Sequence, residues 1–178
     1  MIYVGYPCIG KSSIAGQDNF IDLESSLFND GSDNWEKKYV NVAIELASQG
    51  YDVFVSSHKQ VRETLKEMSV LFVCIFPDLK LENEWFNRTA QRYKLNPIKK
   101  NLDALQRVTV CYREDISDLL KEKNIMVIKT LDNYELKTFC RDTDNLSPEW
   151  FRTDVCYYEH VNKKTNSDLW ENEVEDSK

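Results

Sequence analysis

Residues 5–12, Gly5-Tyr6-Pro7-Cys8-Ile9-Gly10-Lys11-Ser12, fit the pattern G-x-x-x-x-G-K-[ST] directly behind the apolar run Ile2-Tyr3-Val4. No other feature restricts the fold as much, because such a turn belongs between the carboxyl end of a buried strand and the amino end of a helix. The residue types suit one chemistry. Glycines let backbone N–H groups wrap a phosphate, the lysine reaches the terminal phosphates, and the hydroxyl faces magnesium. A helix beginning at Lys11 adds its positive end. Gly5, Cys8, Ile9, Gly10, Lys11, Ser12 and Ser13 are therefore the candidate residues for a nucleotide's phosphates, with Ser12 the candidate ligand of Mg2+. Taken alone, the segment could also be a plain surface turn.

Hydrophobic spacing predicts an α/β chain around this turn. The segment 19–24 reads as a second strand ending in carboxylates. Ser32 or Asp33 is expected to cap a helix carrying Trp35, Tyr39, Val42, Ala43 and Leu46 on one face, with Gly50 as its stop. Val53-Phe54-Val55 reads as a third strand running into Ser56-Ser57-His58, with a helix marked by Val61, Leu65 and Met68 behind it. Residues 70–76 form the clearest buried strand, ended by Pro77. A helix is expected from Glu82 to Tyr93, and Ile98 to Lys123 reads as one or two helices, with a break near Thr109 left open. Ile125-Met126-Val127-Ile128 completes five strands, separated by helices as parallel crossovers require.

At 178 residues the chain is expected to form one domain, over 1–140. An aromatic helical extension is expected over 141–163, around Pro148 to His160, and an acidic disordered tail over 164–178. The net charge of -7 argues against long nucleic acid or an anionic membrane as partner. No apolar run is long enough to span a membrane, and the loop begins at Gly5, leaving no room for a signal peptide. The expected location is cytoplasmic. Cys8, Cys74, Cys111, Cys140 and Cys156 contain no C-x-x-C pair and read as reduced thiols. Cys8 is expected to be an inert small residue, with oxidation sensitivity as the other reading. Oligomeric state is not legible.

Three further constellations could carry chemistry. Of Asp22 and Glu24, only one is expected to enter the cleft, and Asp22 is the first choice, to orient an acceptor or to hold magnesium through water; a solvated strand end is the alternative. Trp85, Arg88 and Arg92 share a helical face, which suits a lid over polyphosphate, since arginine forks match phosphate oxygens. Ser57, His58 and Arg62 lie beyond the third strand, at the edge where open α/β sheets bind ligands. They are the acceptor-site candidates, Arg62 ahead of His58, which also reads as a hydrogen-bonded loop histidine. Among the other basic residues, only Arg107 or Arg113 is backed, the lysines reading as a solvated face.

The order of Gly5 to Ser12, Ile21-Asp22-Leu23-Glu24, Val53 to His58 and Trp85 to Arg92 resembles the P-loop nucleoside and nucleotide kinases, especially small adenylate-kinase-like proteins, over about residues 1–131. The resemblance implies a three-layer P-loop NTPase fold with a five-stranded parallel sheet. It also implies an ATP site at Gly5 to Ser13, a helical acceptor segment near Ser25 to Leu46, and a lid at about 81–97 that closes to exclude water. Two departures stand out. The third strand ends in Ser56-Ser57 where many relatives carry a magnesium-handling aspartate, and the glycine-proline-arginine turn used by adenylate kinases around their acceptor is missing. The expected activity is ATP-dependent phosphoryl transfer to a nucleoside monophosphate. Lys11 would hold the donor, Asp22 the metal or acceptor, and Arg62 the acceptor phosphate, while Arg88 and Arg92 neutralise charge. The alternatives are a kinase for a hydroxyl acceptor (nucleoside, small metabolite or nucleic-acid end), with Asp22 as general base, and a nucleotide-binding regulator without turnover.

Overall fold

The computed structural model describes residues 1–132 and 134–141. The expected aromatic extension, apart from its first residue, and the acidic tail lie outside the described residues. Five parallel strands form one sheet in the order β2-β3-β1-β4-β5, namely β2 Phe20–Asp22, β3 Asp52–Ser56, β1 Ile2–Gly5, β4 Val73–Pro77 and β5 Ile125–Ile128. The helices are α1 Lys11–Ile14, α2 Trp35–Ser48, α3 Lys59–Glu67, α4 Glu82–Leu95, α5 Lys99–Leu119 and α6 Leu136–Arg141.

The strands read as near-continuous apolar runs because both faces of the sheet are covered. Alternation sends Tyr3 and Phe54 to one face, where their rings stack at 5.2 Å, and Val4, Val53 and Val55 to the other. The Tyr3 hydroxyl reaches the Cys140 carbonyl, so α6 lies on the first face. Only the β1-to-β2 connection runs toward the β2 edge. Right-handed crossovers therefore set α1 on the face opposite α2, α3 and α5, an arrangement compatible with three layers.

Two boundaries depart from the sequence reading, and one point it left open is decided. The fourth strand starts at Val73, not at Val70, because Ser69 turns left-handed (φ 56°) and the Val70 amide bonds the Leu65 carbonyl to close α3. Helix α2 begins after Asn34, and neither Ser32 nor Asp33 caps it through its side chain. Helix α5 runs unbroken through Thr109, whose hydroxyl bonds back to the Leu105 carbonyl at 2.8 Å. Among the described residues no helix is long and apolar enough to cross a membrane.

Candidate functional site

The carboxyl ends of β1, β2 and β3 open into a cleft of about 910 Å³, roofed by α4 and the first half of α5. This is where an open parallel sheet leaves a crevice, since the chain leaves β1 in one direction and β3 in the other. The Gly5 to Ser12 loop forms its floor. A Cβ on Gly5 would stand 2.7 Å from Lys11 Cδ and 2.8 Å from Ile9 Cδ1, so glycine at this position leaves the room in which these two side chains pack over the strand end. Gly10 and Cys8 both take left-handed backbone, at φ 100° and 65°. For Cys8 this is a strained state that its surroundings must hold.

Side chains from outside the loop hold it by its carbonyls. The Trp85 indole donates to the Pro7 carbonyl at 2.8 Å, Arg88 Nε to the Cys8 carbonyl at 2.8 Å, and the Tyr134 hydroxyl to the Ile9 carbonyl at 3.0 Å. In a planar trans peptide the next amide points the opposite way. The N–H groups of Cys8, Ile9 and Gly10 thus turn away from these anchors. Among the described residues, no backbone or side-chain group accepts from them, or from the first helical amides of Lys11 and Ser12. Lys11 bends over the loop and donates to the Gly5 carbonyl at 2.7 Å. Desolvation lowers its ammonium from the usual lysine range, with Asp22 pulling the other way.

The ends of β2 and β3 are fastened together by Tyr39 of α2. Its fully buried hydroxyl donates to the Leu23 carbonyl at 2.7 Å and accepts from the Ser56 amide at 2.9 Å. The carboxylates after β2 and the polar residues after β3 are thereby set in one frame. The Ser12 hydroxyl donates to Asp22 Oδ2 at 2.8 Å. Glu24 also lines the cleft and is paired with Lys100 of α5. The expectation that only one of the two carboxylates enters the cleft is thus corrected: residues two apart on an extended chain share a face, and the strand in any case ends at Asp22.

Of the remaining candidates, Ser13, Ser57, His58, Arg88 and Arg92 line the cleft. Arg92 Nη1 lies 3.6 Å from Cys8 Sγ, and the Arg88 guanidinium sits 5.7 Å from the Trp85 ring centroid. Arg62 does not line it. It is buried beneath α3, with Nη1 2.6 Å from Glu122 Oε1, and the same carboxylate takes Lys66. Helical spacing turned it toward the sheet, where a guanidinium requires a buried partner. Arg62→Met should lower stability by about 2 kcal/mol in urea unfolding and leave ATP affinity unchanged. Arg107 lines the cleft while holding Asp115 at 2.6 and 3.1 Å; Arg113 is exposed on Glu82 and does not line it.

His58 faces the cleft with Nδ1 2.6 Å from Ser56 Oγ. Desolvation by the cleft walls, then the charges of Arg107 and Lys11, lower its imidazole to about 4 against the opposing pull of Asp115. The ring is open on one side, and it is neutral at physiological pH. Between about 4 and the ordinary value near 6.5, the unfolded chain binds a proton at this position that the folded one does not, so stability falls as pH drops through that window. His58→Asn should reduce the fall in the urea midpoint between pH 6.5 and 4, read against the wild type.

Tyr39, Tyr134, Lys100 and Asn101 belong to the site without having been singled out in the sequence. Tyr39 carried a signal, since a tyrosine on the core face of a helix needs a partner for its hydroxyl. Ser12 and Asp22 fit magnesium, which binds through one or two protein oxygens, substrate phosphates and water rather than through a cage of side chains. Among the described residues no group of three or more His, Cys, Asp or Glu could hold a metal. Comparison of the chain with protein-family models, curated proteins and solved structures returns no match.

Proposed function

We propose that the chain is a phosphotransferase that takes the γ-phosphoryl group from ATP with magnesium and passes it to a small acceptor, a nucleoside monophosphate or a hydroxyl compound. One observation carries this reading. Three successive loop carbonyls are tied outward, which leaves a row of amides with no acceptor among the described residues beside Lys11, Arg88 and Arg92, whose partners among those residues are all uncharged. Such a concavity suits a polyanion.

The loop amides and Lys11 bind the triphosphate. Arg88 and Arg92 face the charge that spreads over the transferred group. Ser12 would hold magnesium, oriented by Asp22, and the ion would supply charge neutralisation on the phosphate oxygens. The neutral His58 and the buried Ser57 line the acceptor's side of the cleft. The test is a chromatographic assay with ATP, magnesium and a panel of phosphorylated and unphosphorylated acceptors. Formation of ADP together with a phosphorylated acceptor supports the reading. Tight ATP binding with no transfer to any acceptor would favour a regulator, and absence of ATP binding would remove the reading altogether.

A further inference from the structure

The cations in the cleft fall into two unlike sets. On the loop and α4, among the described residues, Lys11, Arg88 and Arg92 bond only a carbonyl, a carbonyl and a thiol. On α5, Lys100 is paired with Glu24 and Arg107 is held by Asp115 through two bonds. Asp103 adds a carboxylate to the cleft wall that no cation among the described residues neutralises. A phosphate group arriving beside α5 would have to displace a carboxylate from either cation and sit near another.

Two polar atoms add an independent observation. Ser57 and Asn101, each 2% exposed, are among the residues that line the cleft, and among the described residues their buried Oγ and Oδ1 find no hydrogen-bond partner. The Asn101 amide is fixed in orientation, because its Nδ2 donates to the Asn96 carbonyl at 2.7 Å. What remains is an acceptor oxygen that needs a donor. The oxygens of a phosphate dianion only accept and cannot satisfy Asn101 Oδ1, whereas a hydroxyl can donate to it; the Ser57 hydroxyl, itself a donor, suits either.

We infer that the segments after β2 and β3, together with α5, receive an uncharged hydroxyl-bearing acceptor and exclude a phosphate monoester. The inference rests on the phosphotransfer reading above. In the step it implies, the acceptor's hydroxyl oxygen attacks the γ-phosphorus of ATP and a new P–O bond forms. The bond from that phosphorus to the β,γ-bridging oxygen breaks, and ADP leaves with the electron pair. The hydroxyl proton passes to Asp22, whose Oδ1 is left over when Oδ2 accepts from Ser12.

The experiment has three arms on the full chain. Calorimetry with a non-hydrolysable ATP analogue and magnesium comes first, and failure to bind would end the phosphotransfer reading and this inference with it. The loaded protein is then titrated with AMP and with inorganic phosphate. Wild type should bind neither at millimolar concentration, and Glu24→Gln, which releases Lys100, should gain about tenfold or more in AMP affinity. Binding by wild type as tight as by the variant, or no gain in the variant, would overturn the inference while leaving ATP binding intact. Last, ADP release is followed with matched pairs: adenosine and AMP, thymidine and its monophosphate, ribose and ribose 5-phosphate, glucose and glucose 6-phosphate. Acceleration by an unphosphorylated member alone supports it. Acceleration by a monophosphate, or by no member of any pair, counts against it.

Discussion

Lys11→Ala should lower phosphoryl transfer by roughly 10³-fold or more, the scale on which a cation at the transferred group contributes to such reactions. The folded chain should survive the change. Among the described residues Lys11 has one hydrogen bond, to the Gly5 carbonyl, and desolvation already disfavours its charged form. Removing it takes a partly desolvated charge out of the protein, so the melting temperature should hold or rise slightly. With triphosphate present, the ammonium would have to leave Gly5 and extend along the phosphates, a movement the curled side chain has the length to make. Transfer rate and thermal midpoint, measured on one preparation, separate loss of chemistry from loss of fold. Retention of transfer within tenfold of wild type would remove Lys11 from the mechanism. Lys11→Met, which keeps the apolar stem over Gly5, guards against a loop that collapses when the stem is lost.

Trp85→Ala should be among the most destabilising substitutions in the chain, at about 3–5 kcal/mol, because the indole is fully buried and its removal leaves a large cavity under the loop. Trp85→Phe tests the anchoring itself. It keeps an aromatic ring but loses the 2.8 Å bond to the half-buried Pro7 carbonyl, at about 1 kcal/mol for a lost hydrogen bond. If that carbonyl holds the following amide toward the phosphates, ATP affinity should fall about tenfold in the same variant. Urea unfolding gives the first number and calorimetry the second. A stability loss with unchanged ATP affinity would mean that Trp85 supports the core and does not shape the loop.

The two experiments address features of different legibility. Lys11 announces itself through local residue types, because a loop that wraps phosphate needs particular residues within eight consecutive positions. Trp85, Arg88 and Arg92 were legible as one face of a helix suited to lie over polyphosphate, but not as the anchors of the loop. In the structure Trp85 and Arg88 are bonded to loop carbonyls, and α4 is packed onto the loop. Helical periodicity identifies which residues share a face but not what that face meets. The same gap misplaced Arg62, which lies on the buried side of α3 and is held by Glu122, sixty residues away in sequence. No pattern within α3 could announce that partner. Lys100, read as part of a solvated face, meets Glu24 across a similarly long interval.

By itself the sequence determined the number of strands, their apolar character and the place of the glycine and lysine turn between β1 and α1. Each of these follows from short-range chemistry: alternation, turn residues and the breaks set by glycine and proline. Only the tertiary structure decided the strand order, the outward anchoring of the loop by Trp85, Arg88 and Tyr134, and the joining of β2 to β3 through the Tyr39 hydroxyl. It also decided which cations face the cleft with their charge uncompensated and which lie on carboxylates. These depend on contacts between residues far apart in the chain, whose pairing is settled when the helices pack on the sheet and each buried donor or charge has to find a partner.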